Sequence, residues 1–188
     1  MRPLALLLLA LGVSIAALAQ QHFDFKVRED MFAGMDGDTA AFGRAMKLIA
    51  EGLKLSAEGI GDMERAVSLA PNDIAVRVSR GAGLQPYARG LRPFDRAGAD
   101  KLTAIAIGDF EFVVATSLPY WSKLSEHGRG ELLGALADGW SSLGEPAKVN
   151  ADLDRMSREL PGSAYARNAA LRRADPSARV PLTCLGCH

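Results

Sequence analysis

The chain of 188 residues carries 22 basic and 22 acidic side chains, so its formal charge is zero and no global field draws it to nucleic acid or an anionic membrane. Only 6% of its residues are aromatic, alanine and leucine abound, and no strand-like alternation is sustained, which points away from a sheet protein. The length suffices for one domain with a real core.

Residues 1–20 read MRPLALLLLALGVSIAALAQ. Arg2 precedes an apolar run from Leu4 to Leu18, and Ala17-Leu18-Ala19 ahead of Gln20 has the small-residue pattern of a signal-peptidase site. The run falls short of the ~20 apolar residues that a membrane-spanning helix needs, so a retained anchor is the lesser reading. No cysteine follows the cleavage site, and a lipid anchor is not indicated. Residues 1–19 are expected to be a signal peptide cleaved near Ala19-Gln20. Export would leave a soluble protein, periplasmic or secreted, with no stable membrane insertion.

An irregular segment is expected over residues 20–37, followed by a helical domain over 38–173. Phe42, Met46, Ile49 and Leu53 recur at helical spacing between Thr39 and Leu55. Asp62 to Leu69 continues the pattern and stops at APND, where Pro71 and Asn72 terminate a helix. Ile74 to Ala88 and Asp100 to Ser117 are the next two, the latter closed by Leu118-Pro119. Glu131 to Leu143 and Glu145 to Leu160 form a pair joined at Leu143-Gly144, and Pro161-Gly162 ends the second. Ser163 to Arg173 is a last short helix before an irregular arm, residues 174–188.

Charge is unevenly spread over these helices. From Arg77 to Lys101 six basic residues face two acids, and from Arg155 onward six arginines face Glu159 and Asp175. Solvated helix faces are the plain explanation; an anionic cofactor would give them a use.

The segment IGDMERAV at 60–67 is echoed by IGDFEFVV at 107–114, each followed shortly by a proline, Pro71 and Pro119. Residues 130–163, GELLGALADGWSSLGEPAKVNADLDRMSRELPGS, carry the pattern furthest. Leu133, Leu136, Ala137 and Trp140 fall at first-helix packing positions, Leu143-Gly144 at the turn, Val149, Leu153 and Met156 in the second helix, and Pro161 at its close. In these residues the chain resembles the tetratricopeptide repeat family. Val149 and Met156 depart from it, standing where the family has small alanines, and Ala137 replaces a glycine. The resemblance implies an all-α solenoid of stacked helix-turn-helix units with a concave groove for a protein partner. A plain helical bundle is the rival.

The chain ends TCLGCH, and both of its cysteines, Cys184 and Cys187, lie there with His188. C-x-x-C-H is the attachment signature of c-type haem. Two thiols at this spacing reach the two vinyl groups of one porphyrin, and the next histidine offers its imidazole to the iron. One covalent haem c is therefore expected, with Cys184 and Cys187 as thioethers and His188 as proximal ligand. Attachment takes place outside the cytoplasm, in agreement with the leader. A thioredoxin-like motif would need a helix after the cysteines, a disulfide here closes only a tiny loop, and a zinc site lacks a nearby fourth ligand.

Small cytochromes c carry the motif near their start, followed by a methionine ligand. Helical-bundle cytochromes of the c-prime type carry the motif near the C-terminus, on the last helix, and a c-prime-like bundle is the alternative fold. Pro176 and Pro181 before the motif favour an arm over a helix. That arm is either folded back on the body or held away from it. The sixth iron ligand is unknown; Met35, Met63, Met156, His22 and His127 are chemically able, the methionines more simply as packing. Arg172, Arg173 and Arg179 stand near the motif and are suited to haem propionates.

No serine–histidine–acid grouping, phosphate loop or metal-ligand helix is visible, so catalysis by the body is not expected. The function this implies is electron transfer by an exported monohaem c-type cytochrome, its repeats docking a redox partner. The alternative is an exported interaction scaffold in which haem is sensory, structural or absent.

Overall fold

A computed structural model describes residues 57–183. The signal-like segment, the helix expected over Thr39 to Leu55, Met35, His22 and the terminal Cys184, Cys187 and His188 lie outside the described residues.

The described chain is all-α. Its helices are α1 (Ala57–Leu69), α2 (Ile74–Leu91), α3 (Arg96–Ser117), a 3-10 turn (Leu118–Lys123), α4 (Glu126–Leu143), α5 (Pro146–Glu159) and α6 (Ala164–Ala174). Local chemistry sets the starts. Asp73, Asp95, Ser125 and Ser163 each accept, through the side chain, the free backbone N–H three residues on. The caps at Asp95 and Ser125 begin α3 and α4 four and five residues earlier than the apolar pattern alone indicates. Gly144 ends α4 in the left-handed region, φ 76°, and Pro146 opens α5. One expected end is displaced: α2 continues past Ala88 to Leu91 through Pro86, whose ring lies on the exposed side.

The main packing joins helices consecutive in sequence, most extensively α2 with α3 and α4 with α5. The helix of IGDMERAV is α1 and that of IGDFEFVV is α3, so the echoed segments occupy alternate helices. Phe110 and Val113 of α3, Leu84 of α2, Leu132 and Leu133 of α4, and Leu153 and Met156 of α5 are fully enclosed. Burial of each large side chain stabilises the fold by about 1.5–3 kcal/mol. Gly81 lets α2 approach the Phe110 ring, which a Cβ would press at 2.8 Å. Gly139 does the same for Ile107 against α4, and Gln85 Nε2 of α2 donates across to the Ala135 carbonyl at 2.5 Å.

Part of the first basic stretch is internal. Asp109 of α3 is fully buried, and Arg80 grips it with Nε and Nη2 at 2.6 and 2.7 Å while Arg77 Nη1 adds a third bond at 3.0 Å. Arg77 also lies 4.7 Å over the Phe112 ring. These arginines clamp α2 to α3, a role the solvated-face reading does not contain.

Candidate functional site

The arm leaves α6 through a tight turn in which the Ser177 N–H and hydroxyl both donate to Asp175 Oδ1. Those bonds, the hydroxyl's first, hold the Asp175 carboxyl below its usual range. From there the arm folds back on the body. Arg172 Nη1 donates to the Val180 carbonyl at 3.4 Å and Asn168 Nδ2 to the Pro181 carbonyl at 2.8 Å. Leu182 is only 1% exposed, and its carbonyl lies where a Cβ on Gly134 would stand. Thr183, the last described residue, packs its methyl over the same glycine.

This return forms one wall of an open cleft of about 330 Å³. Arg89 comes from the last turn of α2, Asp138, Ser141 and Ser142 from α4, Arg172 from α6, and Arg179 to Thr183 from the arm. Arg172 stands 3.6 Å from Asp138, and both are about four-fifths shielded. Burial raises the Asp138 carboxyl above its usual range, with Arg172 and then Arg89 pulling it down only in part. Arg89 and Arg179 make no hydrogen bond or ion pair among the described residues. With Asp138 ionised the cleft carries a net charge of about +2, suited to a dianion.

A second polar group lies on the same face of α4, further toward its start. Tyr165 of α6 seats its ring against Gly130, and its hydroxyl meets Glu131 Oε1 at 2.7 Å and His127 Nδ1 at 2.8 Å. The hydroxyl has one proton, and the Glu131 carboxylate can only accept it. His127 Nδ1 therefore carries the hydrogen donated to Tyr165.

Of the arginines expected to serve an anion, Arg172 and Arg179 line the cleft and Arg173 does not. Arg173 pairs with Asp154 and reaches the Asn150 carbonyl. Arg89 belongs to the first basic stretch, to which an anionic cofactor would give a use, whereas Asp138 was not singled out in the sequence; only the fold brings the two to the arm. Among the candidate sixth ligands, Met63 and Met156 are packed in the core at 2% and 0% exposure, while His127 is half-buried. Trp121 is also spent on structure, its Nε1 donating to Glu159 at 2.6 Å under the Arg155 guanidinium. No group of three or more histidine, cysteine or acidic side chains among the described residues is placed to hold a metal ion. Comparison with family models, curated proteins and solved structures gives no match.

Proposed function

We propose that this chain is an exported monohaem c-type cytochrome that transfers electrons, its helical body docking a protein partner. The observation that carries the reading is the terminal C-x-x-C-H. Cys184 and Cys187 would hold one haem c through thioethers and His188 would ligate its iron. The haem, when bound, supplies one-electron chemistry.

The surroundings of the motif fit such a group. Leu182 and Thr183, immediately before Cys184, are anchored on α4, so the motif starts from a fixed point on the body. The adjoining cleft is cationic, and a haem carries two carboxylates. What the chain's own described residues contribute is position: the buried Leu182 and the two carbonyl contacts to α6 hold the arm against the helices up to Thr183, the residue before the motif. Export, indicated by the leader, agrees with the compartment in which thioethers form.

The stacking of consecutive helices, with hairpins α2–α3 and α4–α5, supports a tetratricopeptide-like solenoid for the body. Partner choice would then reside in its surface and its uneven charge.

The decisive experiment is the mass and visible spectrum of the protein exported from a host with cytochrome c maturation. One added haem and a c-type spectrum, lost in Cys184→Ala and Cys187→Ala, are expected. A bare polypeptide mass would leave an exported helical scaffold and remove the cytochrome reading.

A further inference from the structure

We infer that the cleft between α2, α4, α6 and the arm is the seat of the haem propionates, with Arg89 and Arg179 as their cations and Arg172 held ready by Asp138. The inference rests on the cytochrome reading and deepens it by naming where the haem carboxylates are bound.

Three observations lead to this cleft. The first is reach. Thr183 forms part of the cleft wall, and Cys184 follows it at one Cα step, about 3.8 Å. The residue that precedes the attachment motif is thus itself part of this cleft. The second is charge. Three guanidinium groups and one carboxylate leave about +2, the complement of two ionised propionates.

The third is vacancy of hydrogen-bonding capacity. Arg77, Arg80, Arg155 and Arg173 each hold a carboxylate of the protein. Arg89 and Arg179 hold none among the described residues; both are exposed side chains on the wall of this open cleft, where a planar fork can pair with a carboxylate. Arg172 has the 3.6 Å contact to Asp138 and the 3.4 Å bond to the Val180 carbonyl, and neither is a close two-pronged pairing with a carboxylate. The small size of the cleft suits two propionate arms rather than the ring itself.

The test uses the haem-loaded protein, its iron midpoint potential followed from pH 5 to pH 9. Arg89→Gln and Arg179→Gln should each lower the midpoint, because removing a positive charge favours the ferric ion. They should also move the pH-linked step in the potential upward, since a propionate deprived of its cation is a weaker acid. The lysine variants at both positions should fall between these and the parent, and Arg65→Gln on α1, far along the chain and exposed, should change neither quantity. A haem-loaded protein in which neither glutamine variant moves the pH step overturns the propionate seat and leaves the cytochrome intact. Absence of covalent haem in the parent overturns both. Should a glutamine variant fail to fold, a pH step identical to the parent's in both lysine variants refutes the seat on its own, since lysine cannot reproduce the bidentate pairing.

Discussion

Asp109 is the only fully buried charged side chain among the described residues, and its two arginine partners are 12% and 22% exposed. A buried carboxylate so held contributes little relative to an apolar replacement of the whole set, but removing one member alone leaves charge uncompensated. Asp109→Ala should therefore destabilise the protein by about 3 kcal/mol, read as a fall in the urea midpoint at unchanged slope. Asp152 behaves in the opposite sense. Burial lifts its carboxyl to about 6, with Arg155 opposing and Glu111 adding to the rise. A folded pKa above the unfolded one means the folded state gains on protonation, so this contribution is present below pH ~4 and lost as pH rises through 6. Asp152→Asn should stabilise the protein at pH 7 by about 1 kcal/mol, a figure reduced for the group's partial exposure, and the gain should vanish at pH 4. Neither role was legible in the sequence. The echo IGDMERAV/IGDFEFVV marks Asp62 and Asp109 alike, yet Asp62 pairs with Arg65 within its own helix while Asp109 is enclosed by arginines of another. Which of two equivalent acids is buried depends on the neighbouring helix, which local pattern does not contain.

Helix positions were largely readable because apolar periodicity and the Pro and Gly breaks are local signals. Their starts were read late where a cap precedes a polar first turn: Ser125 is followed by Glu126, His127 and Gly128, with no apolar residue to announce α4. The arm shows the other limit. Its prolines identify it as non-helical, but nothing in ADPSARVPLT says that Leu182 is buried or that Gly134 is its seat. Alanine in place of a helical glycine normally adds about 1 kcal/mol. At residue 134 the new methyl would overlap the Leu182 carbonyl, and losing that leucine's burial forfeits about 1.5–3 kcal/mol. Gly134→Ala should thus be net destabilising by ~1 kcal/mol or more and should release the arm, seen as faster proteolysis after Arg179 with helicity retained. Slow cleavage equal to the parent's would mean that the arm is not held at Gly134.

At the scale of the molecule the all-α class was legible from composition and period, whereas the choice between an open stack and a closed bundle turns on which helices touch. The main contacts follow sequence order, and α6 is tied to α4 and α5 by Tyr165, Arg172 and Arg173. In a stack each unit's stability is roughly its own plus that of its neighbour interfaces, so a terminal unit can be removed without dissolving the rest. In a closed bundle every helix completes the same core, and loss of one exposes it throughout. A chain ended after Gly162 loses α6, the arm and the haem motif together. The stack predicts that α1 to α5 remain helical and unfold cooperatively at a lower midpoint, the loss confined to the α4 and α5 surfaces that α6 covered. Circular dichroism and urea titration of that shortened protein decide the matter. A chain without cooperative unfolding would assign these helices to one shared core, and partner docking would then have to be sought outside a solenoid groove.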